Sequence, residues 1–167
     1  MLPNPLHPAL VHFPVVLMVF LPVVAAGALI AIRRGAAPLK AWAFPVGLAV
    51  LLAVSAFAAV ETGETEEHRV EELAAKSAME THEEAGKRFM IFSGIVAVVM
   101  TAGLVGGVAG RTVRAAGLVG ALALIVAGYQ VGHSGGRLVY GDATTAGLIG
   151  ATASAGESQE RGEEDHN

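Results

Sequence analysis

Charged residues fall along this chain in blocks, and the stretches between the blocks are apolar. No Asp, Glu, Lys or Arg precedes Arg33, and charge-free runs follow at Ala41–Val60, Phe89–Gly110 and Ala115–Gly136. A helix needs about 20 apolar residues to cross the hydrocarbon of a bilayer, and each run reaches that length. The pattern predicts four membrane-spanning helices at about 10–32, 41–60, 89–110 and 115–134. Strands are excluded because so few short segments could not close a barrel, and an open sheet edge has no partner in lipid.

The connectors orient the spans. Residues 33–40 carry Arg33, Arg34 and Lys40, and residues 111–114 carry Arg111 and Arg114, in both cases without an acid. Short loops rich in Lys and Arg stay cytoplasmic, so both termini are expected outside, together with the 61–88 connector. That connector holds nine acidic residues against four basic ones. Glu72–Lys76, Glu83–Lys87 and Glu84–Arg88 are acid-before-base pairs one helical turn apart, which favour helix. Thr81-His-Glu-Glu84 also matches a capping box, which predicts a helix restarting there and running into the third span. The expected architecture is an all-α integral membrane domain over 1–141: a four-helix bundle, N-out and C-out, with an acidic outer helical connector between spans two and three. Residues 142–167 are rich in Ala, Gly, Ser and Glu, lack an apolar period, and read as a disordered acidic tail.

Composition narrows the chemistry. Apolar residues make up 53% of the 167 and charged residues 16%, against roughly a quarter charged in soluble domains. Cysteine is absent, which excludes disulfides, thiolate metal sites, covalent c-type haem and Cys-ligated iron–sulfur clusters. A net charge of −4, with no basic patch, argues against nucleic acid. Ser134 has no triad partners, and the Gly-Gly pairs are not followed by a phosphate-binding Lys. No catalysis by the chain alone is expected.

Small residues mark possible close approaches. Gly103-x-x-x-Gly107 and Gly106-x-x-x-Gly110 read as helix-packing motifs of span three, and Gly128, Gly132 and Gly136 repeat the spacing in span four. Pro14 and Pro22 interrupt span one and are expected to bend it.

Of six histidines, His7, His12, His68, His82 and His133 fall at the outer end of a span or in the outer connector, and His166 lies in the tail. At a rise of 1.5 Å per residue, His12 stands roughly 30 Å from Arg33, and His133 roughly 28 Å from Arg114. The two are therefore at similar depth on different helices, with His7 and His82 forming a tier above them. Ionisable groups at membrane depth usually serve a site or a partner, and neutral imidazole ligates both metals and haem iron. Around His133, Gly132, Gly135 and Gly136 leave room for a macrocycle, Arg137 could pair with a propionate, and Tyr140 and Phe13 could supply walls.

The segments Leu6-His-Pro-Ala-Leu-Val-His-Phe-Pro14, Glu61-Thr-Gly-Glu64, His82-Glu83 and Val131-Gly-His-Ser-Gly-Gly-Arg-Leu-Val-Tyr140 resemble the bacterial membrane-protein family catalogued as domain of unknown function 2231. The resemblance covers nearly the whole chain except the tail. It implies a four-helix unit of the bacterial inner membrane, fused in some relatives to Rieske or cytochrome c domains, and hence a place in electron transfer. This chain has no such appended domain, so a partner of that kind would have to supply one.

The leading expectation is a b-type cytochrome-like electron-transfer subunit with haem b near the outer face. His12 and His133 would be its axial ligands, with His7 and His82 forming a second haem or metal site. Pairing of His82 with a span-one histidine stays open, because sequence does not fix helix rotation. Two alternatives remain. One is an outer copper or zinc site built from the same four histidines with Glu61 or Glu64. The other is a cofactor-free subunit of a larger membrane complex, which would pack through its glycine faces and bind a basic partner through the acidic connector.

Overall fold

A computed structural model describes the backbone over residues 7–70 and 76–164, and side chains at residue 7, over 9–65 and over 77–137. The described residues form helices joined by short turns: α1 (His7–Leu10), α2 (His12–Arg33), α3 (Pro38–Val70), α4 (Lys76–Ala102) and α5 (Gly107–Glu164). Stretches long and apolar enough to cross a membrane lie in α2 to α5, at His12–Arg33, Pro38–Thr65, Ser77–Ala102 and Gly107–Arg137. These four run alternately up and down. Each packs against its neighbours in sequence, and α2 closes the ring against α5. The short α1 prolongs α2, since the Val11 N–H still bonds to the His7 carbonyl, and it also packs on α3.

The interior is drawn from one regular stripe per helix, in steps of three and four residues. In α2 the stripe runs through Pro14, Met18, Leu21, Ala25 and Ala28, with Pro22 buried beside it; in α3 it runs through Trp42, Pro45, Ala49, Leu52, Ala56 and Ala59. In α4 it runs through Phe89, Ser93, Val96 and Met100, with Ala97 buried beside it, and on to Gly103 just past the helix end; in α5 it runs through Gly110, Arg114, Gly117, Ala121 and Leu124, with Ser134 buried farther on. This 3.5-residue period is that of helices packed at shallow crossing angles. Many of the buried residues are Ala or Gly, whereas Phe13, Phe20, Phe44, Phe57 and Val98 are exposed, Val98 to 70%. An aqueous fold would invert that order. Here small side chains let the backbones approach while large apolar ones face lipid.

Three readings of the sequence change. The run from 89 to 110 holds a turn: α4 stops at Ala102 and α5 starts at Gly107, whose φ of 74° suits glycine. Gly103, Gly106 and Gly107 therefore build the connection between two helices, and the Arg111–Arg114 segment lies inside α5. Helix α4 already runs through Thr81, whose hydroxyl donates to the Ser77 carbonyl, so no cap forms there. Pro14 sits in the first turn of α2, where its missing N–H has no intrahelical acceptor. Both the Glu83–Lys87 and the Glu84–Arg88 pairs form; Glu72 of the third pair lies outside the described residues. Helix α5 continues through Glu164. That stretch contains no proline, and its alanines and glutamates favour helix.

The α4–α5 turn is sealed by two large side chains. Trp42, fully buried, donates its indole N–H to the Met100 carbonyl at 2.9 Å. Arg114, 2% exposed, donates to the Gly103 carbonyl at 2.7 Å. Both bind carbonyls at the C-terminus of α4, where the helix leaves acceptors unpaired and carries partial negative charge. Arg114 is thus a buried cap, and the exposed cations at this end are Arg33, Arg34, Lys40 and Arg111.

A Cβ at Gly103 would meet Trp42 Nε1 at 2.6 Å and Arg114 Cγ at 3.0 Å, while one at Gly106 meets nothing within 4 Å. Gly103→Ala is therefore expected to cost about 1–3 kcal/mol, read as a lower unfolding midpoint in detergent, with Gly106→Ala close to neutral. Equal effects would contradict the seal.

Candidate functional site

The opposite end of the bundle gathers imidazole, hydroxyl and glycine from four helices. His7 opens α1, and its Nδ1 donates to the Ala59 carbonyl of α3 at 2.8 Å, with Thr62 Oγ1 3.4 Å from the same nitrogen. Thr62 directs its own proton to the Ala58 or Ala59 carbonyl. The ring lies over Gly63, where an added Cβ would stand 3.1 Å from His7 Cε1. Glycine is needed here for close approach.

His82 of α4 is seated in the same way on α5. Its Nδ1 is 3.0 Å from Ser134 Oγ, and that hydroxyl donates its proton to the Val131 carbonyl at 2.9 Å. Ser134 Oγ must then accept, so His82 Nδ1 carries the hydrogen. Beneath the ring is Gly135, where a Cβ would stand 3.1 Å from His82 Cε1. One ring is thus held on α3 and the other on α5, at the same end of the bundle. With Nδ1 protonated in each, the lone pair resides on Nε2, the arrangement of a metal-ligating histidine held by a backbone partner.

Lys87 of α4 bridges Glu64 of α3 at 2.9 Å and Glu83 of its own helix. These groups are well exposed, and such pairs contribute little to stability. The Lys87–Glu64 pair links α3 to α4.

The other expected site residues lie elsewhere. His12 and His133 are both exposed on the outside of the ring of helices, and His133 stacks on exposed Tyr129, centroids 6.0 Å apart and planes 15° apart. Phe13 and Arg137 are exposed as well, and Gly132 and Gly136 have nothing within 4 Å of an added Cβ. Of the glycines around His133, only Gly135 takes part in a ring seat. The side chains of Tyr140 and His68 lie outside the described residues. Among the described residues no group of three or more His, Asp or Glu is placed to hold a metal ion.

Thr62, Gly63 and Ser134 were not anticipated as site residues. The signal for them is the phase of the interior stripe. His82 lies one heptad before Phe89, and Gly135 one heptad after Gly128, so both face inward; His133 falls between Val131 and Gly135 and faces out.

The fold and its spans define a multi-pass, four-helix membrane protein with a histidine-bearing end. The chain belongs to the family described as predicted membrane protein (DUF2231), whose model matches residues 3–147. No curated protein and no solved structure matches it.

Gly135→Val should displace the His82 ring and raise its rate of modification by diethyl pyrocarbonate several-fold. Gly132→Val, in open space, should leave that rate unchanged. Equal rates in the two variants would contradict the seat.

Proposed function

We propose that this chain is the membrane-embedded subunit of an electron-transfer system, holding one b-type haem by His7 and His82 and exchanging electrons with a redox partner of the cytochrome c or Rieske kind. The observation that carries the reading is the pair of imidazoles, one from each half of the bundle, each with Nδ1 turned to a hydroxyl or carbonyl so that Nε2 holds the lone pair. Two imidazoles complete the coordination of haem iron, whereas a structural zinc site needs four protein ligands. Absence of cysteine makes the attachment non-covalent. When bound, the haem would supply a reversible one-electron change at iron.

The chain's own residues do the rest. Thr62 and Ser134, with the Ala59 and Val131 carbonyls, fix ring rotation and tautomer, and hydrogen bonding at Nδ1 raises ligand basicity. Gly63 and Gly135 let the rings lie close to the helices. The exposed cations at the other end favour placing that end in the cytoplasm, so electron exchange would occur at the outer face of a bacterial inner membrane. The seal of Trp42 and Arg114 supports a site with one entrance and argues against a path through the bundle.

Detergent-purified protein, expressed with haem supplementation, is expected to show a Soret band that shifts on dithionite reduction, with sharp α and β bands. His7→Ala and His82→Ala should each lose the low-spin spectrum, while His12→Ala and His133→Ala retain it. A colourless protein would overturn the reading. Loss of the spectrum in the His12 or His133 variants alone would move the ligands to the outer pair.

A further inference from the structure

The two halves of the bundle superpose in sequence register although they share few residues. One constant offset carries His7 onto His82, Pro14 onto Phe89, Met18 onto Ser93, Leu21 onto Val96 and Ala25 onto Met100, and every pair beyond the histidines is buried in both copies. A second constant offset, three residues shorter, carries Trp42 onto Arg114, Ala49 onto Ala121, Leu52 onto Leu124, Thr62 onto Ser134 and Gly63 onto Gly135. The same offset takes Ala59 onto Val131, so the carbonyls that accept from the Thr62 and Ser134 hydroxyls are also equivalent. Helices α2 and α4 are parallel and lie across the ring from each other, as do α3 and α5, so a half-turn about the bundle axis exchanges the halves.

We infer that the chain is a tandem duplication of one helical hairpin, and that it carries a single ligand site on the internal two-fold axis, formed by one imidazole seat from each half. The ligand is one metal-centred group that takes two equivalent imidazoles. This deepens the haem reading by fixing one group per chain and making its two protein ligands equivalent. Each seat is the same four-part device: imidazole, hydroxyl, helix carbonyl and glycine.

At the other end the symmetry is broken. Trp42 and Arg114 occupy equivalent positions, yet both bind the end of α4, at Met100 and Gly103. An indole and a guanidinium thus fill the axis there. The duplicated device survives only where the axis is not plugged by unlike side chains.

The natural absence of cysteine makes the test direct. In a His7→Cys/His82→Cys double variant of the full chain, a short bis-thiol-reactive linker is expected to join the two cysteines within one chain. A His7→Cys/His133→Cys pair should give at least several-fold less product. If the histidine pair does not fold, Thr62→Cys/Ser134→Cys places thiols at the same two seats and should crosslink likewise. Linkage between chains, or none, overturns the shared axis. Haem bound by the unmodified protein without crosslinking of either seat pair would leave the haem reading standing with other ligands. Efficient crosslinking in a protein that binds no haem would retain the axis and reject the haem.

Discussion

Helix carbonyls are the acceptors on which this bundle depends. A bilayer offers no water to a buried polar atom, so each such atom must find its partner within the protein. Trp42 and Arg114 meet that demand at the end of α4, Ser93 at the Met90 carbonyl within the same helix, and His7, Thr62 and Ser134 at carbonyls of α3 and α5. Among the described residues, no buried side-chain nitrogen or oxygen lacks a partner. Apolar contact alone would hold the helices weakly, because lipid tails compete for it. Small residues shorten the approach, and side-chain bonds to carbonyls of neighbouring helices set which faces meet.

That division of labour separates the two ends. One end is closed by an indole and a guanidinium that cap a helix terminus and leave the axis filled. At the other end, imidazoles rest on glycines with their Nδ1 atoms engaged, a geometry that orients the second ring nitrogen. A polar group spent on capping is structural. A pair of groups held alike by matching hydroxyls and carbonyls, on two halves that otherwise share few residues, is what the proposed common ligand requires.

The four spans were legible because lipid requires long charge-free runs, and no other segment of the chain supplies them. Their ends were less so. The turn at 103–106 carries no charge, and glycine serves both close packing and positive φ, so Gly103, Gly106 and Gly107 read equally well as a packing motif. The histidines show a sharper limit. Rise per residue places His12 and His133 at equal depth, but depth is not direction. On a helix surrounded by lipid, apolar residues occupy every side and give no stripe to phase the ring of helices. The phase is carried by the small residues: Gly117, Ala121, Gly128 and Gly135 mark the interior of α5, and they turn His133 outward. The likeness of the two halves was hidden for a related reason, since burial is shared where identity is not, as in Pro14 and Phe89 or Trp42 and Arg114.

The central claim is that His7 and His82 present two equivalent imidazoles to one iron. Electron spin echo envelope modulation of the oxidised, haem-supplemented protein counts the histidine nitrogens coupled to that iron. Two near-equal imidazole couplings, one lost in His7→Gln and the other in His82→Gln, are the result predicted. A single coupling, or two that persist in both variants, would contradict it.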